Sequence, residues 1–347
     1  MIKQKQYLII GAGLAGLAAA LKIEKQGGTA ILIEEDPVIG GKLKTELFEE
    51  TYLLDHGFQV LLPGYSQLQN SVDLAALDLR YFKSGALVFD GNKKIRISDP
   101  FKDPHLLFET LLSEIGSFKD KCLVLKLKLS VLSTSDHKLL GQRLGSSIDF
   151  LRNYGFSEKM IENFWRPFFS GIFLEDQLLT EGSYLKFLFK MFSKAPVAVP
   201  AKGIAELPRW MSQQLKKSEI LLGSRAQHVS ANQVILQSGK TFNGIVIDTR
   251  PAENKKWGAV TTLYFSAAVS PIAGPWLFLN RKTSTSLINH VAVMTEVCPS
   301  YSRAGDVLIS VNALRPALGN HELLQIREEL QIFFGPDVKK WRFLESS

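Results

Sequence analysis

Cysteine is scarce in this sequence of 347 residues, which contains only Cys122 and Cys298. Because these two lie far apart and neither has another cysteine or a histidine beside it, the sequence favours neither a metal site nor a disulfide framework. No run of five or six like charges occurs, and the excess of 41 Lys+Arg over 34 Asp+Glu is thinly spread. We therefore expect no nucleic-acid partner and a reducing compartment, the cytoplasm.

Uninterrupted apolar runs are also lacking. Residues 7–21 are uncharged and follow two lysines, as in a signal peptide, but three glycines interrupt them. Residues 258–280 are uncharged and long enough to cross a bilayer, but two prolines break their middle. We interpret 260–265 and 276–279 as strands on either side of a turn rather than as parts of one membrane helix.

The N-terminal part of the sequence has the order strand, glycine-rich turn, helix, strand. Residues 7–10 are a short apolar run, residues 17–26 are rich in alanine and leucine, and residues 30–33 are a second apolar run. Gly27 and Gly28 follow the helix where a C-cap is expected. A strand, a crossover helix and a parallel strand make a right-handed βαβ unit.

The turn of this unit has the glycine spacing of a dinucleotide-binding fingerprint. Its glycines are Gly11, Gly13 and Gly16, with Leu14 and Ala15 between the last two. Gly11 permits the tight turn out of the strand, Gly13 lets the backbone approach a pyrophosphate, and Gly16 lets the helix pack closely on the sheet. The N-terminus of the helix offers N–H groups and a positive dipole end to an anion.

Glu34 ends the second strand at about the 20-residue spacing that the fingerprint requires. A carboxylate at this position accepts the hydroxyls of a ribose and repels a 2′-phosphate. We expect Glu34→Arg to reduce dinucleotide binding sharply and to leave the fold largely intact, since a side chain at a strand end would face the ribose rather than the core. The fingerprint is common to NAD and FAD proteins, so a nicotinamide-dependent dehydrogenase stays open here.

Four further segments carry a resemblance to a known family. One is Ile39-Gly-Gly-Lys-Leu-Lys-Thr45, and the others begin at Asp55, Arg166 and Pro200. Together they resemble the flavin amine oxidase superfamily, and the phytoene-desaturase-like and protoporphyrinogen-oxidase-like branch looks nearest. The superfamily usually has arginine after the paired glycines, where this chain has Lys42. The resemblance extends over almost all of the chain.

This resemblance implies an α/β fold in which an FAD/NAD(P)-binding Rossmann-like domain is interleaved with an α+β substrate domain. The expected FAD-binding domain is residues 1–75 and 200–257, and the expected substrate domain is residues 76–199 and 258–347. No low-complexity linker separates the parts, which agrees with a chain that crosses between two domains.

The resemblance also implies which residues bind the cofactor, FAD. The fingerprint and Glu34 would hold its ADP half, Gly41 and Lys42 would reach its phosphates or flavin, and the backbone of Val229 would pair with the adenine edge. A glycine pair beside a lysine supplies backbone donors and a cation to a doubly charged pyrophosphate. The predicted cofactor-binding residues are Gly11, Gly13, Leu14, Ala15, Gly16, Glu34, Gly41, Lys42 and Val229.

Residues 164–192 are rich in phenylalanine, with lysines between the rings. One interpretation is an apolar tunnel or a membrane-surface entrance for a lipid-like substrate, with the lysines facing anionic headgroups. The interpretation that we favour is helix packing, because aromatic residues at helical spacing are usually core. The segment fits a large apolar substrate better than a small charged one, and a peripheral membrane contact stays open.

No catalytic acid–base group stands out, because none of the six histidines lies in the spacing of a Ser-His-Asp triad or a metal site. Amine oxidases of the superfamily typically place a lysine near the flavin from the substrate sheet, and strands 260–265 and 276–279 contain none. We therefore predict an FAD-dependent oxidoreductase, desaturase-like or dehydrogenase-like, that removes hydride from a C–H bond of a small apolar substrate. An FAD-dependent amine oxidase is the alternative reaction.

A further alternative comes from the C-terminal part of the chain. The superfamily ends with a strand, an Ala-Gly-Asp turn and a helix over the flavin. Here Ala304-Gly305-Asp306 follows a loop and precedes the strand-like residues 307–311, so we interpret it as an unrelated hairpin turn. The closing segment is then missing before Ser347, which leaves open a truncated or non-catalytic flavin-binding homologue.

Overall fold

The computed structural model describes residues 6–99, 101–251, 260–281, 286–315 and 318–347. Within these ranges the strands are β1 (Gln6–Ile10), β2 (Thr29–Ile33), β3 (Thr45–Phe48), β4 (Tyr52–Asp55), β5 (Leu79–Tyr81), β6 (Gly85–Phe89), β7 (Lys94–Ser98), β8 (Ala198–Pro200), β9 (Glu219–Leu221), β10 (Ala226–Val229), β11 (Gln233–Leu236), β12 (Thr241–Asn243), β13 (Ile245–Asp248), β14 (Thr261–Ala267), β15 (Leu277–Asn280), β16 (Ile288–Val293), β17 (Val307–Ala313) and β18 (Arg342–Ser346).

The α-helices of the same ranges are α1 (Leu14–Lys25), α2 (Ser66–Ser71), α3 (Leu107–Leu112), α4 (Phe118–Ser133), α5 (Asp136–Leu140), α6 (Ser147–Tyr154), α7 (Glu158–Met160), α8 (Arg166–Phe173), α9 (Gly182–Lys194), α10 (Glu206–Gln213), α11 (Met294–Val297) and α12 (Asn320–Phe334). A π-helical turn, Ile161–Trp165, joins α7 to α8. In this described part of the chain, no helix combines the length and the apolar character needed to cross a membrane.

The predicted βαβ unit lies in a parallel sheet with the strand order β13-β1-β2-β9. The strands are apolar because both faces of this sheet are covered. On one side α1 buries Leu17, Ala20 and Ile23, which pack in the same cluster as Ile9 and Leu32. On the other side lie β10, β11 and β12, which form a small antiparallel sheet.

A larger mixed sheet has the order β18-β14-β17-β16-β15-β6-β7, in which β15 pairs with β6 in parallel. Its two faces differ, because alternate residues of a strand point to opposite sides. On one face, Phe265 and Val311 pack with Ile326 and Leu330 of α12. The other face carries hydroxyl, amide and imidazole side chains, and we call it the polar face. It consists of Thr262 and Tyr264 on β14, Ser310 and Asn312 on β17, and His290 on β16.

The phenylalanine-rich residues 164–192 form the interior of the helical layer. Trp165 and Phe169 are completely buried, and the other rings of the segment pack against the same cluster. Lys190 is also buried, and its ammonium donates to the carbonyl oxygen of Thr134 and to Asp136, both at 2.6 Å. The helix-packing interpretation is therefore confirmed, and this lysine joins helices instead of facing headgroups.

The apolar residues 260–265 and 276–279 lie in β14 and β15, so the interpretation as strands is confirmed. The parallel sheet is built from residues inside the predicted FAD-binding ranges, and the larger sheet from residues inside the predicted substrate ranges. The domain limits themselves stay a prediction, and the one between residues 257 and 258 lies outside the described residues.

Candidate functional site

The turn between β1 and α1 depends on glycine at two positions. Gly11 has a φ of 97°, in the left-handed region that favours glycine. A Cβ at Gly16 would lie 2.0 Å from the carbonyl oxygen of Gly11, so the helix can come this close only without a side chain there. Both observations agree with the roles inferred from the spacing.

α1 begins at this turn with its backbone donors directed outward. Gly13 is the N-cap, and no described side chain caps the helix. The N–H of Leu17 donates to the carbonyl oxygen of Gly13 at 3.0 Å, so the N–H groups of Leu14, Ala15 and Gly16 precede the helical hydrogen-bond ladder. Together with the positive end of the helix dipole, N–H groups in this position are suited to binding an anion.

A second glycine turn faces the first. Gly40 and Gly41 have φ values of 114° and 60°, and the N–H of Gly40 donates to the carbonyl oxygen of Ala12 at 3.0 Å. A Cβ at Gly13 would come to 3.8 Å from the Cα of Gly41, so a side chain there would enter the gap between the two turns. We call this gap, bounded by Gly13, Gly40 and Gly41, the glycine cradle.

Glu34 lies beneath the cradle and is only 7% exposed. One carboxylate oxygen accepts the N–H of Ala12 at 2.7 Å, and the other accepts the N–H of Asp36 at 3.0 Å. The side chain therefore connects the fingerprint turn to the end of β2. The premise that the Glu34 side chain does not face the core is wrong, because the carboxylate is buried and is part of the turn, so we expect Glu34→Arg to weaken the fold as well.

Lys42 and Lys44 follow the glycine cradle, and hydrogen bonds hold both at their backbone. The carbonyl oxygen of Lys42 accepts from the Gln59 amide at 2.7 Å, and that of Lys44 accepts from the N–H of His56 at 2.9 Å. The ammonium of Lys44 pairs with Asp36 at 2.6 Å, which places a second cation beside the end of β2. Of these two lysines, only Lys42 is among the predicted cofactor-binding residues.

Val229 lies at the end of β10, where it pairs with Val234. It packs against a cluster that contains Ile10 and Ile33, the last residues of β1 and β2. Val229 itself is not the residue whose backbone bonds to Glu34. That residue is Ser224, five positions earlier, whose N–H donates to the Glu34 carbonyl oxygen at 2.7 Å. The adenine contact of Val229 stays a prediction, as do the roles of the other cofactor-binding residues.

Asp55 joins the cradle side of the molecule to the larger sheet. One carboxylate oxygen accepts from the Thr45 hydroxyl at 2.5 Å and from the N–H of Ile204 at 2.9 Å, and the other accepts from the Tyr301 hydroxyl at 3.0 Å. The Tyr264 hydroxyl donates to the Asp55 carbonyl oxygen at 2.7 Å. Burial raises the pKa of this carboxyl to about 6, although these side-chain and backbone donors act in the opposite direction.

This raised pKa predicts a pH dependence of stability. Between about pH 4 and pH 6 the folded protein holds a proton on Asp55 that the unfolded chain has released, so the free energy of unfolding falls as pH rises through that window. A shift from 3.8 to about 6 corresponds to about 3 kcal/mol. Asp55→Asn should remove this component, because an amide oxygen still accepts from Thr45 and Ile204 without ionising.

Urea unfolding of the wild type and the variant at a series of pH values measures the component as the difference between the two curves. Glu328→Gln, at an exposed position of α12, is the control and should keep the wild-type slope. Equal slopes for Asp55→Asn and the wild type would show that Asp55 does not titrate in this range.

Phe58, three residues after Asp55, contacts the polar face. The N–H of Phe58 donates to the Thr262 hydroxyl at 3.1 Å, and that hydroxyl donates to the Asn312 side-chain oxygen at 2.6 Å. The rings of Phe58 and His290 meet edge to face at 4.7 Å. All five side chains of the polar face are buried, and Phe58 contacts two of them, Thr262 through its backbone N–H and His290 through its ring.

This polar face was not predicted from the sequence. The sequence does contain a trace of it, because two largely apolar strands each carry polar residues two positions apart. These are Thr262 with Tyr264 and Ser310 with Asn312. No lysine occurs on β14 to β17, which extends the observation made for two of these strands. Among the residues that the structure describes, no group of histidine, cysteine, aspartate and glutamate could hold a metal ion.

An open depression of about 480 Å³ lies at the edge of this region, where Gly57 donates its N–H to the Ser347 hydroxyl at 2.9 Å. Glu46, His56 and Glu345 line it. Two carboxylates that face one solvent-filled space could hold an ammonium group.

Asp306 lies in a turn, where it accepts hydrogen bonds from the hydroxyls of Tyr52 at 2.5 Å and Ser302 at 2.9 Å. β17 follows directly. Ala304-Gly305-Asp306 therefore directly precedes a strand, as interpreted, but it is not a tight hairpin turn, because α11 and a 3₁₀ helix lie between β16 and β17.

Comparison with known proteins identifies the family and the fold. The family model described as flavin containing amine oxidoreductase matches residues 14–249. The chain is similar to a solved oxidoreductase from Methanosarcina mazei at 16% identity and a TM-score of 0.71, with 99% of this chain and 87% of that chain covered. It is also similar to wild-type putrescine oxidase bound to putrescine at 14% identity and a TM-score of 0.68, with 99% and 85% covered.

Curated relatives match over shorter stretches. Carotenoid phi-ring synthase from Chlorobaculum tepidum is 34% identical over 67 residues, which are 18% of this chain and 10% of that protein. An iron-sulfur subunit of CoB–CoM heterodisulfide reductase from Methanocaldococcus jannaschii is 29% identical over 118 residues, which are 34% of this chain and 17% of that protein. The chain therefore matches less than a fifth of the length of either relative.

Proposed function

This chain belongs to the family of flavin-containing amine oxidoreductases, and from that membership we propose that it is an FAD-dependent oxidoreductase that removes hydride from a C–H bond of an apolar substrate. The observation that carries the reaction type is the polar face, which holds neutral hydroxyl and amide groups beside Phe58 and has no lysine on its strands. Members of the family are described as oxidoreductases that contain a flavin.

FAD suits the residues of the cradle. The N–H groups at the start of α1 would bind its pyrophosphate, and the gap left by Gly13 gives the phosphates room beside Gly41. Each Glu34 oxygen already accepts one backbone N–H, and a carboxylate has about four acceptor positions, so two stay available for ribose hydroxyls. When bound, FAD supplies the hydride acceptor, and the chain supplies binding and orientation.

An apolar substrate fits the larger sheet better than a cation does. The polar face consists of buried hydroxyl and amide side chains and the imidazole of His290, and its residues include no carboxylate that would suit an ammonium group. Phe58 and the rings of the helical layer supply apolar surface next to it. Desaturation needs orientation of the C–H bond toward the acceptor and no side-chain nucleophile, which agrees with a face of this composition.

Amine oxidation is the second candidate, and the depression between Glu46 and Glu345 favours it. These carboxylates could attract a primary ammonium. Putrescine oxidase, one of the similar structures, is bound to putrescine. We rank this candidate second because the depression is open to solvent, where such attraction is screened.

Flavin reduction without oxygen distinguishes the two. The purified protein should carry FAD or take it up, and a polyene or another apolar alkene precursor should bleach its visible absorption, whereas putrescine and simple monoamines should not. The double variant Glu46→Gln/Glu345→Gln should leave the apolar reaction unchanged. Dithionite reduces accessible flavins directly, so it serves as the control that shows whether the bound flavin can be reduced at all.

Three results would overturn the proposal. Bleaching by amines that is lost in the double variant would establish amine oxidation. FAD that responds to dithionite but to no substrate of either class would favour a non-catalytic flavin-binding homologue. Tight binding of NADH without affinity for FAD would identify a nicotinamide-dependent protein.

A further inference from the structure

α4 displays an apolar stripe to solvent along its whole length. Phe118, Leu125, Leu129 and Leu132 are 40 to 70% exposed. At 100° per residue, these positions lie within about 60° of one another on the helix surface. On the opposite side Leu127 and Val131 are fully buried in the helical core, so the helix is held by its back and presents the stripe outward.

The apolar surface continues onto α3 and the loop before it. The ammonium of Lys121 donates to the carbonyl oxygens of Leu111 at 2.5 Å and Ser113 at 2.7 Å, which brings the end of α3 beside the start of α4. The ammonium of Lys128 lies 4.4 Å from the ring centre of Phe101. The exposed apolar side chains of this α3–α4 surface are Phe101, Phe108, Leu112, Phe118, Leu125, Leu129 and Leu132.

Lysines lie on both sides of the stripe. By the helical angle, Lys119 and Lys126 fall on one side and Lys121 and Lys128 on the other. The acidic residue of α4, Asp120, is buried and accepts hydrogen bonds from Ser117 and Ser157, so it does not face the stripe. Exposed apolar side chains flanked by lysines suit a membrane interface, where apolar groups enter the headgroup boundary and cations meet anionic lipids.

The acidic groups next to this surface are already paired with cations. Lys128 contacts Asp99 at 2.6 Å, and on the α3 side Glu109 and Glu114 pair with Arg96 at 3.6 Å and Lys93 at 3.0 Å. The exposed Lys119 and Lys126 therefore leave an excess of positive charge next to the stripe.

We propose that the α3–α4 surface docks on an anionic lipid bilayer, with the stripe in the headgroup layer and the lysines against the headgroups. A second copy of this chain is a poorer occupant, because a symmetric dimer through α4 would bring its lysines against each other. The proposal does not rest on the reaction assigned above. It places a membrane contact on α3 and α4 and not on residues 164–192, which are core.

Flotation with vesicles tests the proposal on the full chain with its flavin. The protein should bind vesicles that contain phosphatidylserine and should bind pure phosphatidylcholine much more weakly. Phe118→Ser/Leu129→Ser should lower the vesicle partition coefficient at least about tenfold. Lys119→Gln/Lys126→Gln should lower it about 30-fold on anionic vesicles, since each lysine near the surface contributes a factor of about five.

The control is Leu324→Ser/Ile332→Ser, which removes two equally exposed apolar side chains from α12 and should bind as the wild type does. Circular dichroism and flavin content should be the same in all variants. Absence of binding to anionic vesicles would overturn the proposal. So would a dimer in light scattering that Phe118→Ser/Leu129→Ser dissociates, because it would assign the surface to a second copy.

Discussion

Glu34→Arg is expected to abolish flavin binding and also to weaken the fold. The substitution removes a buried carboxylate that accepts two backbone N–H groups, those of Ala12 and Asp36. A hydrogen bond to a charged group contributes about 1.5–3 kcal/mol, and the arginine would leave a buried cation beneath a turn that offers only N–H donors. We expect the apoprotein to lose several kcal/mol of stability and the affinity for FAD to fall at least about 100-fold.

Two companion variants separate these effects. Glu35→Arg makes the same charge change at the next residue, which is exposed and pairs loosely with Arg225 at 3.5 Å, so its flavin content should equal that of the wild type. Glu34→Gln keeps one acceptor oxygen, so we expect a loss of about 1–2 kcal/mol in stability and a smaller loss of affinity. Titration calorimetry with FAD and thermal unfolding of the apoprotein measure the two quantities. Wild-type affinity in Glu34→Arg would remove Glu34 from the ribose site.

Gly13→Ala and Gly16→Ala should fail in different ways, although both add one methyl group to the same turn. At Gly16 the new Cβ would lie 2.0 Å from a backbone oxygen, so the turn must move, and we expect a loss of at least about 3 kcal/mol in stability. At Gly13 the backbone has a φ of −75° and the Cβ meets nothing closer than 3.8 Å, so the apoprotein should keep its stability within about 1 kcal/mol.

The added methyl of Gly13→Ala nevertheless enters the glycine cradle. Because it would occupy the gap beside Gly41 that the phosphates need, FAD affinity should fall at least about 100-fold in a protein that unfolds like the wild type. Thermal unfolding without FAD and calorimetry with FAD make the comparison. A Gly13→Ala protein that retains full affinity would show that the pyrophosphate does not lie between the two glycine turns.

The nucleotide side of this protein could be predicted from local sequence because its geometry is local. Gly11 and Gly16 are required by a backbone turn only six residues long, and the strand and helix beside it have unambiguous periodicity. The paired glycines at 40 and 41 were recognised by resemblance, and their contact with Ala12 agrees with it. What local pattern could not predict was the burial of Glu34, which depends on how the chain at residues 34–36 turns beneath the fingerprint.

The contacts around Asp55 and the polar face could not be predicted from local sequence. Asp55 meets Tyr264 and Tyr301, residues more than two hundred positions further along the chain, and its pKa is raised because the folded chain buries it. Thr262, His290 and Asn312 belong to three strands whose order in the sheet differs from their order in the sequence. A single polar residue in an apolar strand carries no information about which partner it will face.

Short-range spacing and motifs of contiguous residues were enough to establish the βαβ unit, the glycine turn, the strand nature of residues 260–265 and the flavin family. Long-range packing was needed to establish which groups meet at Asp55, which sheet face is polar, and that α4 leaves its apolar stripe in solvent while residues 164–192 fill the core. Both segments are rich in apolar residues, and only packing determines which of those residues are covered. Burial is a property of the whole fold, so periodicity can identify an apolar face but cannot show what lies against it.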